Sequence, residues 1–291
     1  MMIYILIGLI VLLIFIVAII YHDTHSFVIR NYEIATDKIN GDYKFVLLSD
    51  LHGYVFGKDN AKLVGAIDSI NPDAILVGGD MFTAHKKNGK IPYEIGFDLI
   101  TNLAGKYQIY YGNGNHERKI KTFTEEYGNL YDRYRNRLSK LGVVFLENNS
   151  VEIEGKNIRI SGLDLNLEYF RKIIKKKMAP GTIDRLLGSL KGSDKKKFQV
   201  LIAHNPQYFK EYANWGADLT VSGHVHGGII RLPILGGVIS PSIALFPKYD
   251  GGKFEDGDKT MILSRGLGTH TIHVRFLNPG EVCVINIHGK H

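Results

Sequence analysis

Five short polar fragments, each closing an apolar run, constrain this chain more than any other feature: Ser49-Asp50-Leu51-His52-Gly53, Gly78-Gly79-Asp80, Gly114-Asn115-His116-Glu117, Ala203-His204-Asn205-Pro206 and Ser222-Gly223-His224-Val225-His226-Gly227. The runs before them, such as Phe45-Val46-Leu47-Leu48 and Ala74-Ile75-Leu76-Val77, have the length and composition of buried strands. Strands that end again and again in Asp, His or Asn deliver those side chains to one edge of a sheet. Between them lie helix-like stretches, Asn60 to Ile70 and Tyr93 to Leu103, with breaks at Asn71-Pro72-Asp73 and Ala104-Gly105. Strand, helix, strand in alternation predicts an α/β layered fold.

The chemistry of the fragments follows from their donor types. Two divalent ions about 3.5–4 Å apart clamp the attacking and leaving oxygens of a phosphoryl displacement and lower the pKa of a bound water. Such a pair needs a shared carboxylate. Asp80 is suited to bridge, because its oxygens can reach both ions while Gly78 and Gly79 let the backbone come close. Imidazole favours transition metals and carboxylate or amide oxygen favours harder ions, so the mixed set points to manganese, iron or zinc, with manganese first, and not to calcium. Asp50 and His52 are two apart, as are His224 and His226. In extended backbone such pairs face the same side, so both can converge on one pocket.

Together these blocks resemble the calcineurin-like metallophosphoesterases, in the branch of membrane-associated bacterial phosphodiesterases that includes UDP-2,3-diacylglucosamine pyrophosphatase-like enzymes of lipid A precursor cleavage. The resemblance runs from about residue 44 to the C-terminus and rests on all five blocks in order. It implies a four-layer αββα sandwich. It further implies that Asp50, His52 and His226 hold one metal with Asp80, and that Asn115, His204 and His224 hold the other, again with Asp80. By the same likeness His116 is no ligand; it stabilises or protonates the departing oxygen while a metal-bridging hydroxide attacks phosphorus. Many relatives carry a second Asp three residues after the bridging one, where this chain has Thr83. That position is not an expected ligand, so the departure bears on substrate or subfamily and leaves the metal site intact. His22, His25, His85, His270, His273, His288 and His291 lack such context and read as surface or packing residues. His270 and His273 follow the glycine-rich Ser264-Arg265-Gly266-Leu267-Gly268 and are the two that could face the cleft.

Residues 2 to 20 carry no charge, and about 20 apolar residues span a bilayer as a helix. A signal peptide would show a basic n-region, a shorter apolar core and a small-residue cleavage site. None is evident, so residues 2–21 read as an uncleaved, single-pass cell-membrane anchor, residues 22–43 as a linker and first-strand region, and residues 44–291 as one catalytic domain. No Lys or Arg precedes the apolar run, while Arg30 and Lys38 follow it, which leans toward a cytoplasmic catalytic domain and leaves the face open.

A net charge of +7 suits an anionic partner. Cys283 is the single cysteine, so no intramolecular disulfide can form. Residues 165–197 read as a basic, lid-like insertion, in which Arg171 to Lys177 and Lys195-Lys196-Lys197 flank Leu186, Leu187 and Leu190. Basic clusters beside apolar residues suit an anionic membrane surface or a lipid-linked substrate; a solvated face is the alternative. Little aromatic character lies within the basic run, so nucleic acid is not an expected partner. Arg118 to Lys140 reads as a helix ending at Gly142, Val151 to Ile160 as a hairpin, and the glycine-rich Gly227-Ile230, Gly236-Ile239 and Glu281-Ile285 as strands. The expected function is a dinuclear-metal-dependent phosphodiesterase or pyrophosphatase on a phosphate ester, lipid- or nucleotide-linked. A phosphomonoesterase, a nuclease and a catalytically silent scaffold of the same fold are the alternatives.

Overall fold

The computed structural model describes residues 1–171, 175–239, 245–269 and 273–290. Helix α1 (Met2–His25) leads into β1 (Phe27–Asn40) and β2 (Tyr43–Leu48), followed by α2 (Ala61–Ile70), β3 (Ala74–Val77), α3 (Glu94–Ala104) and β4 (Gln108–Gly112). Next come α4 (Asn115–Thr122), α5 (Thr124–Tyr127), α6 (Leu130–Ser139), β5 (Val144–Leu146), β6 (Asn149–Ile153) and β7 (Ile158–Gly162). The rest holds α7 (Thr182–Leu187), β8 (Phe198–Ile202), α8 (Phe209–Trp215), β9 (Leu219–Ser222), β10 (Arg231–Leu232), β11 (Gly236–Gly237), β12 (Gly252–Asp256), β13 (Lys259–Leu263) and β14 (Gly280–Lys290).

Two six-stranded sheets form, in the orders β1-β14-β2-β3-β4-β5 and β12-β13-β9-β8-β7-β6. Within the first, β2, β3, β4 and β5 run parallel, as do β7, β8, β9 and β13 in the second. Parallel strands covered on both faces need apolar residues at every position, and β2 shows how they divide. Val46 and Leu48 join the core beneath α2, α3 and α6, whereas Phe45 and Leu47 point the other way, toward Ile160, Val200, Ile202 and Val221 of the opposing sheet. The far face of the second sheet is covered by Tyr212 and Trp215 of α8 with Ile183 of α7. Helices, sheet, sheet, helices is the expected four-layer αββα sandwich.

Three readings change. The polar stretch after Arg118 is not one helix: it breaks after Thr122 and again at Gly128, where φ is 62° and no α-helix can continue. Gly227 to Ile239 is not a pair of regular strands but a two-residue ladder, β10 with β11, plus single bridges, because Gly227, Gly228 and Gly236 all adopt positive φ. In the basic insertion, Tyr169, Met178 and Ile183 are buried in the outer layer, and Leu186, Leu187 and Leu190 pack partly buried against it. Their apolar surface is used inside the protein. Lys172, Ile173 and Ile174 of that run lie outside the described residues.

Candidate metal centre

All five fragments leave the carboxyl ends of parallel strands: Ser49 after β2, Gly78 after β3, Asn113 after β4, Ala203 after β8 and Gly223 after β9. This edge, where backbone groups and side chains are released from the ladder, is the usual ligand-binding end of an α/β sheet. The chain turns there through the left-handed region. Asp50, His52, Asp80, His224 and His226 have φ of 53°, 50°, 56°, 76° and 55°, a conformation rare outside glycine. The two-apart pairs therefore converge by tight turning and not by extended backbone as their spacing alone suggested. Strain of this kind persists only where surrounding contacts over-determine it, and the contacts are present. Asp50 N–H donates to Gly79 O (2.9 Å), His52 N–H to Asp80 O (3.0 Å), and His224 N–H to both Asp50 carboxylate oxygens (3.0 and 3.1 Å). Gly79 and Gly114 are required by proximity, since a Cβ on Gly79 would fall 2.2 Å from Gly114 N and one on Gly114 would fall 2.1 Å from Asp80 Oδ1.

Asp80 sits between two donor groups. On one side Asp50, His52 and His226 gather: His226 Nε2 is 3.4 Å from Asp50 Oδ1 and 3.0 Å from His52 Nε2, and His52 Nε2 is 4.0 Å from Asp80 Oδ2. On the other side His204 Nε2 is 3.1 Å from Asp80 Oδ2, with the His204 and His224 rings 5.2 Å apart. The donor atoms of Asp50, His52 and His226, and those of Asp80, His204 and His224, each lie close enough to share one ion. Asn115 opens α4 directly after Gly114, and its Oδ1 is buried with no hydrogen-bond partner among the described residues. A buried amide oxygen left this way costs free energy unless something coordinates it. The structure thus brings all eight predicted residues to one edge, and the donor set fits divalent cations.

His116 stands differently. Its Nδ1 accepts from Ala84 N–H (2.8 Å), so the ring proton sits on Nε2, 4.0 Å from Asp80 Oδ2. His52, Asp80 and His116 also lie within common reach of an ion. Burial lowers the His116 pKa, opposed by the Asp80 carboxylate. Burial also pushes Asp50 up to about 6, with the His204 charge opposing and Asp80 adding. His204 differs from the other shifted imidazoles of the centre. Burial alone would lower it, but the carboxylates of Asp80 and Asp50 raise it to about 10, while burial brings His224 and His226 down to about 3. Its Nδ1 donates to Gly78 O (2.6 Å) as its Nε2 meets Asp80, so without a cation His204 is an imidazolium.

Three supporting residues were not assigned from sequence. Glu117 is fully buried and accepts from Asp80 N–H (2.8 Å), Met81 N–H (2.9 Å), Gly114 N–H (3.0 Å) and the Tyr111 hydroxyl (3.0 Å). It ties the Asp80 turn to the start of α4. The signal was available in the Gly114-x-x-Glu117 capping pattern. Arg275, buried, donates to the carbonyls of Arg265, Gly266 and Gly268 (3.0, 3.1 and 2.5 Å), fixing the loop behind Asp50, and His226 Nδ1 also faces Gly268 O at 3.3 Å. Asn278 Nδ2 donates to His226 O at 2.8 Å. Neither Arg275 nor Asn278 lies in a local motif. Of the remaining histidines, His22, His25 and His288 make surface contacts with Asp23, the Tyr21 carbonyl and Glu33. His85 lies with its ring 5.8 Å from that of His116, and His273 Nδ1 meets the Thr269 hydroxyl at 2.8 Å. His270 and His291 lie outside the described residues.

Fold and cluster together define an αββα protein with candidate metal-binding residues at its strand ends. The chain belongs to the calcineurin-like phosphoesterase family, whose profile matches residues 43–228. It is 28% identical over 272 residues to an uncharacterized metallophosphoesterase of Aquifex aeolicus, covering 92% of this chain and 94% of that one. A second, from Helicobacter pylori, is 28% identical over 268 residues and the match spans 64% of its length and 90% of this chain. The phosphodiesterase YaeI of Escherichia coli is 25% identical over 236 residues, covering 78% of this chain and 76% of its own.

Proposed function

We propose that this protein is a dinuclear-metal-dependent phosphodiesterase or pyrophosphatase acting on a lipid-linked phosphate ester, held at the cell membrane by residues 2–21 with residues 44–291 as its catalytic domain. The observation that carries this reading is the placement of Asp80 between two donor clusters within ligand reach. Asp50, His52 and His226 would hold one ion with Asp80, and Asn115, His204 and His224 would hold the other with Asp80. Manganese, iron and zinc fit the donors, manganese first. When bound, the pair supplies Lewis-acid polarisation of phosphoryl oxygen and a water of lowered pKa.

The chain's own groups do the rest. Glu117 and Arg275 hold the turns that aim these side chains. His116, with Nδ1 occupied by the Ala84 amide, has its one proton on Nε2 and donates it as a hydrogen bond to the departing oxygen. Burial lowers the pKa of the ring, which favours stabilising that oxygen over handing it a proton. The name of the Escherichia coli relative supports diester over monoester.

The test uses the full chain in detergent, stripped with chelator and reloaded with manganese, on a bis-aryl phosphate and the matching mono-aryl phosphate. Diester turnover that returns only with metal is expected. Silence on both esters with two ions bound overturns the assignment.

A further inference from the structure

Among the described residues, an exposed apolar surface besides α1 rises directly from the metal centre. The β10–β11 hairpin begins five residues after His226, and its turn Pro233-Ile234-Leu235 carries a fully exposed Ile234 beside Leu235 at 61% exposure. Leu245 and Phe246 stand next to it, at 65% and 56%, bridged to the hairpin's return through Ile239 and Val238. Ile234 has φ of 70°. A tight turn needing that angle takes Gly or Asn, so a β-branched residue there is not explained by turn chemistry. The base, by contrast, is polar and tied down. Arg231 donates to Gly227 O (2.9 Å) and Asp250 O (2.8 Å) and pairs with the Asp250 carboxylate (3.1 Å), which also accepts from Gly237 N–H (2.6 Å). A held base with an apolar tip has the build of a wedge.

The position of the hairpin says what the tip meets. Segment 275–278 touches it on one side: Arg231 N–H donates to Phe276 O (3.0 Å), and Ile230 bridges Phe276. On the other side the same segment grips the last turn of α1, where Arg275 N–H donates to Thr24 Oγ1 (3.1 Å) and Asn278 N–H to Asp23 Oδ2 (2.9 Å). Asp23 and Thr24 are buried in the body, while residues 2–15 of the helix are exposed along its apolar length. Leu277, itself 40% exposed, lies between the two. The base of the wedge and the exit of the apolar helix are thus separated by one short segment.

We propose that the β10–β11 tip, with Leu245 and Phe246, is a second membrane contact, seated in the lipid interface beside the point where α1 leaves it. Apolar side chains at such a tip bury into the boundary between headgroups and acyl chains, and the exposed Lys248 next to Phe246 and Pro247 suits anionic headgroups. Two contacts fix orientation where one only tethers. Because the wedge grows from the His226 turn, it holds the mouth of the metal centre against the bilayer surface, where the phosphate of an amphiphile lies. This rests on the reading of α1 as an anchor and deepens the proposed lipid-linked substrate class.

The test places single cysteines in the full chain reconstituted into phospholipid nanodiscs with anionic lipid, using Ile234→Cys, Leu13→Cys within α1 and Glu154→Cys on the β6–β7 turn at the opposite sheet edge. Cys283 is buried and stays in place. Each new cysteine carries an environment-sensitive dye, challenged with a spin label on the lipid chain and with aqueous iodide. Residue 234 should lose fluorescence to the lipid-borne quencher as residue 13 does, and residue 154 to iodide alone. Lipid quenching at 13 with iodide quenching at 234 overturns the wedge and keeps the anchor. Protection of 234 from both quenchers also overturns it, in favour of a protein partner such as a second copy. Lipid quenching at 234 without quenching at 13 keeps the wedge and removes the anchor.

Discussion

Two neighbouring regions depart from the usual partition of residues in opposite directions. At the strand ends, two carboxylates, a buried glutamate and several imidazoles are hidden from water; a few residues further on, the β10–β11 tip exposes aliphatic side chains that could have been packed away. The buried polar region is dense with hydrogen bonds and stands on strained backbone at five residues, whereas the exposed apolar one is held only at its base. The contrast teaches where stability is stored. Polar groups in the interior must be satisfied in place, so each is coupled to its neighbours; exposed apolar side chains have little packing and weaker coupling of this kind.

That difference can be broken experimentally. Asp80→Ala removes the carboxylate common to both clusters, and it should empty both metal positions and reduce turnover by about 10³-fold or more, the equivalent of about 4 kcal/mol. Metal analysis beside the diester assay checks this, and normal turnover would remove Asp80 from the bridging place. Glu117→Gln should act next most strongly. It leaves a buried donor facing the N–H groups of Asp80, Met81 and Gly114, and metal-free protein should lose about 2–3 kcal/mol in a denaturant titration. An unchanged midpoint would show that these turns hold themselves.

Protonation gives a third lever. In metal-free protein His204 is held protonated up to about pH 10, so an ion that takes its Nε2 must displace a proton. The sign follows: apparent metal affinity should rise with pH below that value, about tenfold per unit for one displaced proton. Calorimetry between pH 7 and 9 in buffers of different ionisation enthalpy reads both the slope and the proton. A flat profile would take His204 out of the metal's reach. Ile234→Ser should do least to the fold, shifting stability by no more than about 0.5 kcal/mol, because its side chain has no packing to lose. A larger loss would mean that the tip is packed.

The centre was far more legible in the sequence than its surroundings. Asp50, Asp80, Asn115, His204 and His224 could be found because each follows an apolar run of strand length, and strand ends are local facts. The sheets were legible for the same reason, through Phe45 to Leu48 and Phe198 to Ile202. What local pattern could not supply is contact across distance. Arg275 reaches carbonyls around Gly266, and Asn278 joins the His226 turn to Asp23, 255 positions away in the chain. Glu117 was visible as a residue but not as the meeting point of three backbone amides. The glycine-rich segment was misread because Gly228 and Gly236 look like bends in strands until their positive φ turns the chain out of the sheet.

The pairing of β1 with β14 has a consequence for biosynthesis. In a growing chain β1 has no ladder neighbour until its partner, residues 280–290, has been synthesised. Until then β2 presents an open edge, and the Arg275 loop that closes over Asp50 is missing as well. Completion of the first sheet therefore waits for β14, and during that interval the exposed strands must be shielded from pairing with those of neighbouring chains.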